Sequence, residues 1–243
     1  MAYFQILGTG PSTPITEATG RNRRRRSSAI MNNIASYVMI DATHDFEEQV
    51  AIALTVTDVV LTSSSRDAAG GLGNLDKWTD RPVNLLAPKP LWADIKKKYG
   101  PFENLTHVPL QPHKALDAGD LSVTAFPLSD GSDEGASYGY RFKTKRKCIT
   151  YASDFKLIPE ASTPYFQDND LLVVDGAGWD KDLPTHRGVL NHLTSYVSER
   201  NAVLLFTNIG RSAPPHATAS AAVRRIYHRA DVAYDFMKVP LGR

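Results

Sequence analysis

The chain is poor in several things. It has one cysteine, Cys148, in 243 residues. An internal disulfide is excluded, and so is a Cys-rich zinc site. Lone-cysteine usage suits a reducing compartment, so a cytoplasmic protein is expected. No apolar run approaches the roughly 20 residues of a membrane-spanning helix, so no membrane partner is expected. Net charge is only +2, which gives no chain-wide attraction for nucleic acid. The opening MAYFQILGTG lacks the charged-then-apolar shape of a signal peptide and reads as a strand. No repeat of solenoid period and no low-complexity linker divides the chain, so one domain over 1–243 is expected.

What is present is a chain 42% apolar, enough for a full core. Short β-branched runs with turn-rich flanks predict strands near Phe4–Gly8, Ala35–Asp41, Thr57–Thr62, Val83–Ala87, Thr106–Leu110 and Leu121–Pro127. Others are predicted at Ser137–Lys143, Cys148–Ala152, Leu171–Asp175, Val203–Thr207 and Val232–Phe236. Helical patterns cover Asp45–Leu54, Leu91–Tyr99, Thr194–Arg200 and Ala217–Arg229. Asp45, Glu47 and Glu48 suit a helix N-terminus, and the Thr194 hydroxyl suits a cap. Strands dominate the first 150 residues, with helices dispersed among them. That pattern predicts a layered α/β domain, sheets inside and helices outside.

The loop "LTSSSRDAAGGL", residues 61–72, leaves an apolar run yet carries little chemistry. Its serines are not a nucleophile elbow, because no Gly-x-Ser-x-Gly surrounds them. The run Arg21–Arg26 reads either as a solvated structural segment or as an anion clamp, since guanidinium binds phosphate bidentately. Gly8-Thr9-Gly10 reads as a tight turn or a small anion nest. Lys143–Lys147 reads as a solvated hairpin tip. His107, His113, His216 and His228 show no partners in the sequence. Cys148 reads as core.

The segments "ILGTGPSTP", "RRRRSSAIM", "YVMIDATHDFEEQ", "VVLTSSSRDAAGGL", "YGYRF", "ITYASDF", "DLLVVDGAG", "VLLFTNIG" and "VAYDFMKVPL" follow one another in a particular order. In that order the chain resembles the metallo-β-lactamase fold, in the phosphodiesterase branch that includes the carbon–phosphorus lyase accessory protein and tRNase Z. The resemblance runs nearly end to end. It implies an αββα four-layer sandwich in one domain.

The family's metal loop reads His-x-His-x-Asp-His, a set that holds two metal ions, usually zinc. The corresponding positions here are Ser63, Ser65, Asp67 and Ala68. The next histidine position falls at Ser129-Asp130-Gly131. The bridging aspartate is Asp154. The last histidine is Asn208, and a further one, three residues on, is Arg211. The resemblance therefore implies an emptied zinc site, a pseudoenzyme or accessory protein, and no cofactor. His186 and His192 lie in a loop that reaches the family's active-site mouth.

The expected catalytic set is Asp67, Asp154, His186 and His192. The expected ligand-binding set is Ser63, Ser65, Asp130, Asn208, Arg211 and Arg24. The ligand would be a small anion carrying phosphate, and a protein partner is also open. Relatives dimerise, so the resemblance implies a homodimer. The competing expectation is a remodelled phosphodiesterase-like hydrolase. It would use Mg²⁺ or Mn²⁺ on an oxygen-rich set, or histidine acid–base chemistry without metal. With zinc gone, Asp67 and Asp154 would repel. An arginine, Arg66 or Arg211, or an ordered water network is the expected occupant of the metal position.

Overall fold

A computed structural model describes residues 2–50, 55–131, 137–197 and 203–242. The first half lays down β1 (Tyr3–Gly8), β2 (Ser28–Asn33), β3 (Ser36–Ile40), α1 (Phe46–Val50) and β4 (Asp58–Val60). Then come α2 (Arg66–Ala69), α3 (Leu72–Trp78), β5 (Val83–Ala87), α4 (Lys89–Tyr99) and β6 (Leu105–Pro109). The second half holds β7 (Ala115–Ala118), β8 (Leu121–Leu128), β9 (Ser137–Lys143), β10 (Cys148–Ala152) and β11 (Leu171–Asp175). It closes with α5 (Val189–His192), β12 (Val203–Thr207), α6 (His216–Ile226), β13 (Ala230–Val232) and β14 (Lys238–Pro240).

Among the described residues the strands make two seven-stranded sheets, ordered β14-β1-β2-β3-β4-β5-β6 and β13-β12-β11-β10-β9-β8-β7. Each sheet is antiparallel on one side and parallel on the other: β3 to β6 run parallel, as do β10 to β13. Strands buried on both faces read as continuous apolar runs rather than alternating ones, and β11 and β12 fit that rule. Leu171 and Val173 of β11 point into the inter-sheet core with Ile6, Val38, Tyr140 and Leu205. Leu172 and Val174 point the other way, against Val223 of α6 and Leu193. Leu75 of α3 and Leu91 and Ile95 of α4 join the first core from outside the other sheet. The result is helix, sheet, sheet, helix, the expected four-layer sandwich in a single domain. No helix among the described residues is long and apolar enough to cross a membrane.

Several local expectations need correction. The predicted Val232–Phe236 strand stops at Val232, because Ala233 bonds Phe206 and the Asp235 carboxylate turns inward to the Thr9 and Arg25 amides. Phe236 then takes a left-handed φ of 65°, and pairing resumes at β14. Thr194 caps nothing; it lies inside a 3-10 turn, Leu193–Tyr196. The remainder of that predicted helix, 198–200, and residues 51–54 of the earlier one, lie outside the described residues. The Lys143–Lys147 segment is the β9–β10 hairpin turn, with Lys147 paired to Asp170 at 2.8 Å.

Candidate active site

Six strand ends converge on one pocket of about 110 Å³. Gly10 follows β1, Asp41 follows β3 and Thr62 follows β4; Asp154 follows β10, Ala177 lies two residues past β11 and Asn208 follows β12. Asp41, Asp154 and Asn208 each turn the chain through a left-handed backbone, with φ of 62°, 60° and 54°. Asp and Asn are the side-chain-bearing residues that visit this region most readily. Such outliers cluster where the surrounding structure holds a working site in place.

Asp175 is the buried anchor. Its side chain is 1% exposed, and Oδ2 meets Nδ1 of His186 at 2.6 Å. Its Oδ1 accepts from the Asn208 amide at 2.9 Å and from the Ala177 N–H at 3.2 Å. His186 is thereby fixed with Nε2 facing the pocket, 3.8 Å from Oδ1 of Asp154. Burial alone would lower the His186 pKa. The hydrogen bond and charge of Asp175, with Asp154 and Asp130 behind, outweigh it and raise the pKa above the ordinary histidine value.

The carboxylates are crowded. Burial pushes Asp41 up to about 8 against the donors of Thr62, with Asp154 and Asp67 adding to the rise. Its oxygens accept from the Thr62 amide at 2.7 Å and the Thr62 hydroxyl at 2.9 Å. Burial thus favours the protonated form of Asp41. Burial and then Asp175 push Asp154 up to about 6, while His186 pulls it back. Burial also raises Asp67, opposed by Arg26, His44 and Arg66. Arg26 lies 3.9 Å from Asp67 through Nε and 2.8 Å from Asp45 through Nη1. That buried Nε takes no hydrogen bond.

The model for the β-lactamase superfamily domain matches residues 36–226. The chain belongs to this superfamily. Its sequence is 22% identical over 193 residues to coenzyme PQQ synthesis protein B of Klebsiella pneumoniae (strain 342). That match covers 66% of this chain and 62% of the relative, so under two thirds of the relative's length is matched. A crystal structure described as a new diphosphatase from the PhnP family superposes with TM-score 0.84 at 24% identity, over 98% of this chain and 96% of that one. The short form of human tRNase Z superposes with TM-score 0.72 at 16% identity, over 99% and 100% of the two chains. At these identities the structural likeness is one of fold.

Within this superfamily fold, the pocket gathers Asp67, Asp154, His186, Ser65 and Asn208 of the expected site residues. Ser63 stands behind them, donating to the Ser65 hydroxyl at 2.9 Å. Asp130 acts on Asp154 and His186 through its charge. Three expected residues lie elsewhere. His192 turns away and pairs with Asp182 at 3.0 Å. Arg24 packs behind β1, its Nη1 on the Thr9 hydroxyl and the Ala233 carbonyl. Arg211 is 53% exposed and pairs with Glu17 at 2.8 Å, so it does not occupy the metal position. Arg66 does not either; its Nε donates to His44 at 2.8 Å. The positive groups near the aspartates are Arg26 and His186 instead. Gly8-Thr9-Gly10 is neither the expected tight turn nor an anion nest: Gly8 ends β1, Gly10 bridges Arg26, and the Thr9 and Gly10 amides are taken by Asp235 and the Arg25 carbonyl. Among the described residues no group of three or more His, Cys, Asp or Glu is arranged to hold a metal ion.

The sequence reading missed Asp175, Asp41 and Arg26. Each offered a signal: an aspartate closing an apolar strand just before the chain turns, twice, and one arginine inside a run of them.

Proposed function

We propose that this protein is a zinc-independent member of the superfamily whose pocket binds a small phosphate-bearing anion, and that it serves as a ligand-binding accessory protein. The observation that carries the reading is what the positions matching zinc ligands do. The Ser65 hydroxyl caps α2, accepting from the Ala68 amide at 3.3 Å, and Ser63 bonds Ser65. Ala68 has no donor. The Asn208 amide is spent on Asp175. His186 is the one imidazole lining the pocket among the described residues, and its Nδ1 is committed. This set does not fit a dinuclear zinc centre, which needs imidazole or thiolate from several sides. An anion finds Arg26 with an unbonded Nε, and His186 and Asp41 both held toward their protonated forms. Elemental analysis of protein purified without chelator or metal-affinity tag should give well under one zinc per chain. A dinuclear complement held through Asp67 and Asp154 ends the proposal.

A second reading, a metal-independent hydrolase, rests on the Asp175–His186 pair. A buried carboxylate fixing an imidazole gives a positioned general acid or base, with Nε2 free to pass a proton to a leaving oxygen. Turnover of phosphodiesters or diphosphates in excess chelator, lost in His186→Gln, favours it. Binding of the same compounds without turnover favours the accessory role.

A further inference from the structure

The six basic and polar residues from Arg21 to Arg26 are not equivalent. Arg21 stacks on Tyr234 at 4.4 Å. Arg23 and Arg25 reach Glu48, and Arg25 also reaches Asp235. Arg26 reaches Asp45 and Asp67. Arg24 is the exception. It is 4% exposed, yet among the described residues no carboxylate lies within ion-pair distance of it. Only Nη1 is hydrogen-bonded, at 3.3 and 3.4 Å, both long. Its Nε and Nη2 take no bond among the described residues. Burial lowers the Arg24 pKa and the Asp235 charge offsets it only in part, so an anion on the unbonded edge would be favoured.

Arg24 lines a cleft of about 240 Å³ that has no lining residue in common with the active-site pocket. Asn22, Ile15, Gly210, Arg211 and Pro215 share the lining. Pro215 is the N-cap residue of α6, so the positive end of an 11-residue helix meets the cleft. Asn22 Oδ1 takes the first helical amide, of His216, at 2.7 Å. The nearby acids are already engaged: Glu17 with Arg211, Asp235 with Arg25 and Thr9, Asp231 with Arg224. The surplus charge of the cleft is positive.

We propose that this cleft is a second anion site, which takes a phosphate group on the free edge of the Arg24 guanidinium at the α6 N-terminus. The fork of Nε and Nη2 suits two phosphate oxygens. The cleft shares its wall with the pocket: Asn208 opens into one and Gly210 into the other. Occupancy of the site would brace the turn that carries Asn208.

The test uses inorganic phosphate against the full chain, by calorimetry and thermal shift, with sodium chloride balancing ionic strength. Saturable binding at millimolar phosphate or below is expected. Arg24→Met should weaken it at least about tenfold, the scale of a lost charge-assisted bond. Should Arg24→Met fail to fold, Ala18→Glu carries the test, because it sets a carboxylate on the cleft wall with Arg24 intact, and it should abolish the response. These titrations are made in the His186→Gln background, which removes binding by the main pocket, so that the response read is that of the cleft. A phosphomonoester binding tighter than free phosphate assigns the site to an organic phosphate; the reverse assigns it to the free ion. Absence of saturable binding in that background, or its survival when Ala18→Glu is added, overturns the proposal and leaves that of the main pocket to stand on its own zinc analysis.

Discussion

Asp175 and Asp41 show how one residue type takes two states within one pocket. Asp175 sits among three donors, His186, Asn208 and the Ala177 N–H, while Asp41 has only the two donors of Thr62 and faces other acids. The first should govern the histidine. In Asp175→Asn the largest influence raising His186 is gone and only Asp154 and Asp130 are left to oppose burial, so its pKa should fall. An NMR titration of the imidazole measures this; an unchanged pKa shows that Asp175 does not control His186. The second aspartate should govern the pH response of the fold. A carboxyl raised from 3.8 to about 8 holds its proton more tightly when folded. Across that window the native state binds more protons than the unfolded one, so stability falls as pH rises. Asp41→Asn keeps an acceptor for Thr62 and tolerates the left-handed backbone, so it should remove this fall. At about 1.4 kcal/mol for each pKa unit, the variant should gain at least ~2 kcal/mol on the parent between the two pH limits, measured by urea unfolding. Parallel curves for the two proteins refute the assignment. His186 was legible in the sequence because loop histidines invite attention. Asp41 and Asp175 were not, since an aspartate after an apolar strand looks like any strand end.

The elements around the pocket explain why the serine loop persists. Ser65 caps α2, the chain turns at Gly70-Gly71, and α3 follows at once. Gly71 is demanded by packing, not by its backbone angle. A Cβ there would stand 1.9 Å from the Thr43 carbonyl oxygen, in the turn that follows Asp41. The Gly71 amide also donates to the Ala42 carbonyl at 2.8 Å. Gly71→Ala must push these two loops apart. Overpacking costs about 1–3 kcal/mol, and clash with rigid backbone belongs at the upper end. Chemical denaturation should show a loss near 3 kcal/mol. A loss under about 0.5 kcal/mol, the scale of an ordinary surface change, means that the loops yield freely. At this scale the sequence was uneven evidence. β9, β10, β11 and β12 fall on their predicted bounds because their apolar runs are long and their flanks polar. β7, spelled Ala-Leu-Asp-Ala, has no β-branched residue, and only its pairing with β8 makes it a strand. α2 and α3 are too short for a helical period to stand out.

At the scale of the molecule, the question is what stabilises a superfamily fold if zinc does not. The answer in this structure is area. Phe4, Ile6, Tyr140, Tyr151 and Phe142 are fully buried between the sheets, and Phe126, Phe155, Phe166 and Phe206 fill the outer layer. Each fully buried large apolar side chain contributes about 1.5–3 kcal/mol. Such a core needs no metal to fold, in contrast with small zinc domains. The order of motifs made this architecture legible in advance; the charge balance of the pocket was not, because it depends on Arg26 and His186 arriving from distant segments. Chelator should therefore leave Tm unchanged. The converse case sets the sensitivity of the test. A metal present at a hundred times its Kd contributes about 2.7 kcal/mol, and a chain of this size moves roughly 2–4 °C per kcal/mol. Stripping it would lower Tm by several degrees, well above measurement error. Millimolar Mg²⁺ or Mn²⁺ supplies the opposite arm. If Asp41, Asp67 and Asp154 hold a hard cation, either ion should raise Tm, and the rise should vanish in Asp154→Asn. If Arg26 and His186 already balance the acids, both ions should be silent in the parent and the variant alike.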